Sequence, residues 1–468
     1  MRIPRFPLEP FFMALVGLLA VAVPGCGGEV RSQWLFVVST DAYLPSWGDR
    51  ILVELLGDEG ALACGGCRRE FAVSPENVPL SFGLAPPPRA VRVRARLFRQ
   101  SQTGADGLPA GRDLIDFVGI LPPEAPAGVE RLVVPLSGFC FGKPADIKAR
   151  TSCTYTRDGT GFKVLPEREL VDLDIDRANL RPGRVDRLRG SACPTPSSGA
   201  VPEDMACFSG GTFLMGASDS LGADTDYPTS PLFLASYFYP ILVDKDETTV
   251  GAVRELLRRR ALSLGTSSLL RKGPGVPASC TYLSDSDSTN DALPLNCISR
   301  SGASSVCIEL GKELLTEIDW EYVATAGGRA TSYPWGEEPP TCERSVLSSS
   351  PSCLRAGPAP GGASGDVTPQ GIRNLGGNLS EWVATLFVPY TDPCWTEYSR
   401  DGSEAGGLAD PDSCYVDTRL VGWRGPWAHR GGSFARLGSS ARSSSRFASA
   451  DGAPRPEIGF RCKKQLLQ

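Results

Sequence analysis

A chain of 468 residues, 41% hydrophobic and 22% charged, has ample material for packed cores and favours two or more domains over one. Its formal net charge of −5 gives no electrostatic case for a nucleic-acid partner. A single histidine, His429, excludes a metal centre built from several imidazoles of one chain, and a Ser-His-Asp site would have to use that residue.

The 52 glycines and 40 prolines point to many turns and short elements rather than long helices. At the N-terminus, Arg2 and Arg5 precede an apolar run from Phe11 to Val23 that is too short to span a bilayer comfortably. It ends in Val23-Pro24-Gly25-Cys26-Gly27, which resembles a bacterial lipoprotein cleavage box. The expectation is a signal peptide over 1–25, lipidation of Cys26, and an exported outer-membrane lipoprotein on the periplasmic side or the cell surface. Pro24 departs from the commonest box, and a plain secretory signal is the alternative. Setting Cys26 aside leaves fourteen of the fifteen cysteines, an even number that reads in an exported protein as up to seven disulfides. Spacing suggests the local pairs Cys64–Cys67, Cys140–Cys153, Cys193–Cys207, Cys280–Cys297, Cys342–Cys353 and Cys394–Cys414, which leaves Cys307 with Cys462; connectivity stays open at this stage.

Residues 26–142 read as a β-rich domain, a small all-β sandwich. Trp34 to Val38, Ile51 to Leu56 and Leu132 to Leu136 are β-branched or apolar runs, and Val91 to Leu97 alternates apolar residues with arginine. That arginine face reads as a solvated face or, less simply, a binding surface. Cys64-Gly65-Gly66-Cys67 is followed by a strand-like segment and has no second CxxC, so a structural bridge is preferred over a redox or zinc motif. Residues 143–205 read as a polar linker or edge segment. Within it Asp172, Asp174 and Asp176 lack the glycine and closing glutamate of a calcium loop, and Pro194 to Pro202 has linker composition.

From Cys207 onward a series of motifs accumulates: Gly210-Gly211-Thr212-Phe213-Leu214-Met215-Gly216, Glu247-Thr248-Thr249-Val250, Pro294-Leu295-Asn296-Cys297-Ile298-Ser299, and Leu310-Gly311-Lys312 leading into Thr316-Glu317-Ile318-Asp319-Trp320-Glu321-Tyr322. Tyr333-Pro334-Trp335-Gly336, Gly377-Asn378-Leu379-Ser380-Glu381-Trp382, Arg430-Gly431-Gly432-Ser433-Phe434 and Gly459-Phe460-Arg461-Cys462 follow. In this order they resemble the formylglycine-generating-enzyme (sulfatase-modifying factor) family. The resemblance implies an α+β, C-type-lectin-like fold over 206–464, with Cys307 bridged to Cys462. Thr316 and Asp319 have the spacing of a helix capping box.

The resemblance also implies a chemistry that this chain cannot perform in the family's way. The enzymes bind copper through two cysteines, two and seven residues after the aromatic of the Gly-Gly-Ser motif, and soft thiolates suit Cu(I). Counted from Phe434, those positions are Arg436 and Ala441, so copper is not expected. Calcium is a possible cofactor, held by the Glu381 carboxylate and by carbonyls near Gly377 and Leu379; otherwise Asn378 and Glu381 only brace the loop. Trp382, Ser433 and Arg436 are candidates for a remaining groove, while Arg442 and Arg446 are expected as internal braces to acids such as Glu381. The reading is a non-catalytic binding or scaffold module for an envelope protein, peptide or glycan, attached to a membrane by its lipid. An enzyme of different chemistry in the same groove is the alternative, and a copper oxidase the least favoured.

Overall fold

The computed structural model describes residues 32–109, 114–124, 126–155, 162–173, 180–185, 192–194, 201–216, 233–236, 240–329, 331–348, 353, 355–388 and 426–466. The signal segment with Cys26, Asp174 and Asp176, most of Pro194 to Pro202, and the Cys394–Cys414 pair lie outside these residues.

The N-terminal region is a β-sandwich. Its strands are β1 (Gln33–Thr40), β2 (Arg50–Leu56), β3 (Arg68–Ala72), β4 (Leu80–Leu84), β5 (Val91–Phe98), β6 (Ile115–Leu121) and β7 (Val129–Leu136). One sheet runs β4-β1-β7, with β1 antiparallel to β4 and parallel to β7; the other runs β3-β2-β5-β6, antiparallel throughout. Alternation decides which side faces the core: Trp34, Phe36 and Val38 from β1 meet Ile51 and Val53 from β2 and Val91, Val93, Ala95 and Leu97 from β5.

The arginine face of β5 is neither solvated nor open for binding. Arg92 and Arg96 are buried and Arg94 is half-buried. Each finds a carboxylate: Arg92 Nε donates to Glu167 Oε2 at 2.7 Å, Arg94 forks onto Asp116 at 3.0 and 2.7 Å, and Arg96 Nη2 donates to Glu54 Oε2 at 2.6 Å. The cover comes from the segment read as a linker. Residues 143–173 contain a hairpin of β8 (Thr151–Tyr155) and β9 (Phe162–Pro166). Cys140–Cys153 ties it to the sandwich, Val118 N donates to Ser152 Oγ at 2.8 Å, and Leu170 and Val185 join the sandwich core. A polar composition misleads here because the segment covers charged side chains, and its polar groups partner them.

The C-terminal region is α+β. Its strands are β10 (Met205–Phe208), β11 (Thr212–Met215), β12 (Phe233–Ser236), β13 (Ile241–Asp244), β14 (Glu313–Leu314), β15 (Ser380–Leu386), β16 (Trp427–Arg430), β17 (Arg446–Ser449), β18 (Ile458–Gly459) and β19 (Cys462–Gln465). Its helices are α1 (Val250–Arg258), α2 (Arg300–Glu309) and α3 (Glu317–Ala324). One sheet runs β10-β13-β19-β14, a second β17-β16-β15-β18, and β11 pairs with β12. The three α-helices of the described residues all start at hydroxyl caps. Thr249 Oγ1 accepts from Ala252 N, Ser299 Oγ accepts from Gly302 N, and Thr316 with Asp319 closes a full capping box; each such cap contributes about 1 kcal/mol.

Two main cores fill this region, beside a small third cluster of Val346, Leu379 and Phe434. One joins Phe213 and Met215 of β11 to Trp320, Tyr322 and Val323 of α3. The other joins Val250 and Val253 of α1, Val306 and Cys307 of α2, and Trp382, Phe460 and Cys462. Leu214, between the two inward residues of β11, points the other way and belongs to the sandwich core. Five of the six disulfides in the described residues tie strands or loops across more than ten positions of sequence, and Cys307–Cys462 links α2 to β19.

Candidate functional site

The motif residues converge on α3. Glu317 and Glu321 are four residues apart, so both carboxylates leave one face of the helix. Glu317 receives Arg446 in a fork, Nε to Oε1 at 2.5 Å and Nη2 to Oε2 at 2.7 Å. Arg430 Nη1 also reaches Glu317, at 3.4 Å, while its Nη2 pairs with Glu321. All four side chains are almost completely buried. Arg430 continues to the carbonyls of Ser443 and Ser444 and lies over the Trp320 ring, 5.2 Å from its centroid. On the same helix Asp319 accepts from Lys463 Nζ at 2.7 Å. Burial pushes the Glu321 carboxyl above its ordinary value, and Arg430 opposes that shift. Arg446 is therefore an internal brace, but its acid is Glu317 rather than Glu381.

Glu381 belongs to a second buried network. Arg461 Nε donates to its two oxygens at 2.8 and 3.0 Å, and Trp320 Nε1 donates to Oε2 at 2.8 Å. Glu247 sits nearby and accepts from Asn378 Nδ2 at 2.7 Å, Leu379 N at 3.0 Å and Asn374 Nδ2 at 3.2 Å. Asn374 and Asn378 hold left-handed backbone (φ 64° and 67°), which aims both amides at one carboxylate. Burial and the neighbouring Glu381 push the Glu247 carboxyl up to about 8. These contacts bear on whether this carboxylate suits calcium. Glu381 is committed to a guanidinium and an indole, and a cation there would meet the positive charge of Arg461. The residues do not fit calcium at Glu381. Among the described residues, no group of three or more His, Cys, Asp and Glu side chains is placed to hold a metal ion.

The glycines of both loops allow close backbone approach. Gly431 has φ +79°, and a Cβ added there would come 2.4 Å from Leu375 O; one added to Gly432 would come 2.1 Å from Gly376 O. The segment 430–432 is thus wedged directly against 375–376, with no side chain between them.

Beyond this wedge lie the positions that carry thiols in the enzymes. Ala441 is fully buried at the end of a short 3-10 turn, Gly438–Ala441. Arg436 is half-buried, and its guanidinium lies 3.7 Å from the Phe447 ring centroid. Phe447 stacks on His429 at 5.4 Å, and His429 meets Trp382 edge-on at 5.7 Å. Burial, with Arg436 and Arg455 nearby, pushes the His429 imidazole down to about 3. Of the three groove candidates, only Arg436 reaches solvent. Trp382 is in the core with Nε1 donating to Ile298 O at 2.9 Å, and Ser433 is 0% exposed, its Oγ accepting from Ala435 N at 3.4 Å. No cysteine lies between Cys414 and Cys462, so neither copper thiolate has a substitute nearby in sequence, and the residues do not fit copper.

Sequence reasoning missed the roles of Glu247, Glu317, Glu321, Asp366 and Lys463. The i,i+4 spacing of Glu317 and Glu321, two acids on one face of a helix that also carries Ile318, Trp320, Tyr322 and Val323, was the one available signal. Asp366, which accepts from Ser345 Oγ and Gly376 N and is pushed up to about 6 by burial, had none.

The sulfatase-modifying factor enzyme 1-like domain model matches residues 192–466. The chain is 24% identical over 267 residues to serine/threonine-protein kinase pkn1 of Chlamydia caviae, covering 56% of this chain and 38% of that protein. It is 23% identical over 306 residues to the pkn1 of Chlamydia pneumoniae, covering 64% and 44%. The chain thus spans about two fifths of the length of these curated relatives. Among solved structures it is similar to PvdO from Pseudomonas aeruginosa (20% identity, TM-score 0.41, 57% of this chain and 96% of that one) and to CarF (15%, 0.37, 57% and 99%). With the family match spanning more than half of the sequence and its motifs gathered around one buried helix, the chain belongs to the sulfatase-modifying factor enzyme 1-like family.

Proposed function

We propose that this protein is an exported lipoprotein, anchored through Cys26, whose family domain is a non-catalytic binding or scaffold module for an envelope protein, peptide or glycan. One observation carries the non-catalytic part. The two thiol positions hold Arg436, stacked on Phe447, and Ala441, sealed in the core. Copper-dependent oxidation of a cysteine needs thiolates at both. The framework around them is intact, which supports a retained surface rather than a degraded domain. The kinase name of the chlamydial relatives finds no carrier in this chain. Its sole histidine is followed by Arg430-Gly431, so it has no His-Arg-Asp catalytic loop.

The test is direct. Protein loaded with Cu(I) and given oxygen and a sulfatase-type cysteine peptide should yield no aldehyde, and aldehyde formation would sink the proposal. Binding is tested by cross-linking from the envelope, with Arg436→Ala as the comparison; capture unchanged by that substitution would move the binding surface elsewhere. Loss of acyl labelling in Cys26→Ser tests the anchor.

A further inference from the structure

The spacing of Cys64 and Cys67 favours a structural bridge, but the structure leaves that bridge nothing to hold. It closes a turn between β2 and β3 that the backbone already closes. Cys67 N donates to Cys64 O at 3.1 Å, Leu55 N to Cys67 O at 2.8 Å, and Ala63 N to Leu55 O at 2.9 Å. The β2–β3 ladder then runs without interruption from Glu54↔Arg68 to Arg50↔Ala72. The bridge spans a sequence separation of 3, against 11 to 155 for the other five disulfides in the described residues. Opening it frees almost no chain.

It is also the bridge within reach. Residues 61–66 are all exposed, and Cys64 is the one exposed cysteine among the described residues. A Cβ added to Gly65 or Gly66 would meet nothing within 4 Å, so the ring stands clear of the sandwich. Arg68 follows directly but its Nε donates to Glu54 Oε1 at 2.9 Å, which leaves the exposed Arg69 as the cation nearest in sequence. A cationic neighbour stabilises a thiolate, which makes a cysteine a better leaving group.

We infer that Cys64–Cys67 is a thiol-exchange site that takes two electrons from a dithiol partner. A thiolate of the partner attacks Cys64 Sγ, and the Cys64–Cys67 bond breaks with its electron pair leaving on Cys67 as a thiolate. The partner's second thiolate then attacks its own sulfur in the mixed disulfide and releases the Cys64 thiolate. The partner ends as a disulfide, the turn ends as a dithiol, and the partner's two protons pass to solvent or to the new thiols.

The experiment uses the full chain under native conditions. Dithiothreitol is added, and alkylation with peptide mapping follows each cysteine over time. Cys64 and Cys67 should become labelled at least tenfold faster than any other pair, with the circular dichroism unchanged. A reduced dithiol peptide should be oxidised one-to-one by the wild-type chain and not by Cys64→Ser/Cys67→Ser. Opening no faster than Cys193–Cys207, or equal peptide oxidation by the double variant, would overturn the inference.

Discussion

The Glu317–Arg446 pair gives the sharpest test of what the signature residues do. Both side chains are buried, the fork closes at 2.5 and 2.7 Å, and Arg446 Nη1 also donates to Val388 O at 2.9 Å. Glu317→Gln keeps the shape but leaves Arg446 and Arg430 to share Glu321. Stranding one partner of a buried pair costs about 3–5 kcal/mol. Replacing the pair together, as Glu317→Leu/Arg446→Met, strands only Arg430's weaker contact and the Val388 carbonyl, so the double variant should recover most of that loss. Urea unfolding of the disulfide-intact protein, followed by tryptophan fluorescence, measures both, since Trp320 sits beside the network. The cycle of Glu317→Leu, Arg446→Met and the double variant should give a coupling above about 2 kcal/mol. A single-variant loss below about 1 kcal/mol, the range of exposed pairs, would refute the view that these residues are a buried frame.

Three further outcomes are expected. His429 is the sole histidine, so its imidazole resonance needs no assignment; it should stay neutral to about pH 3, against an ordinary 6.5. Because the unfolded chain takes up that proton first, His429 should cost stability as pH falls from about 6.5 toward 3, at about 1.4 kcal/mol per unit of the gap; titration near pH 6 would contradict its burial. Replacing Cys307 and Cys462 with alanine opens a loop of 155 residues and should lower stability by about 5 kcal/mol, read as a fall in the urea midpoint. Arg96→Leu strands the buried Glu54, which keeps only the partly exposed Arg68, and should destabilise the sandwich by about 2–4 kcal/mol; a change within 0.5 kcal/mol would place that face in solvent after all.

Much of the fold is legible in the sequence where local rules act. Period-two alternation marks β5, and the Thr316–Asp319 spacing marks the start of α3. Partners set by chain closure are not legible. Arg446 meets Glu317 across 129 residues, and no local pattern distinguishes that acid from Glu381. The β5 arginines look solvated because alternation tells which side faces the core, not whether a second layer covers the other side. Ser433 looks like a groove residue because it lies just before the thiol positions in sequence, and Trp382 because it is a large aromatic in a family motif, yet both are buried, Trp382 on β15 and Ser433 directly after the 430–432 wedge.

The wedge of Gly431 and Gly432 against 375–376 bears on how such proteins are recognised and labelled. The motif residues Arg430, Gly431, Gly432, Glu317, Trp320, Glu381 and Arg461 are the same ones that build the buried frame. Selection for a soluble, protease-resistant domain would preserve each of them with no reaction to protect. Such positions speak to architecture, so the two unremarkable positions at 436 and 441 carry more information about activity than the glycines around them.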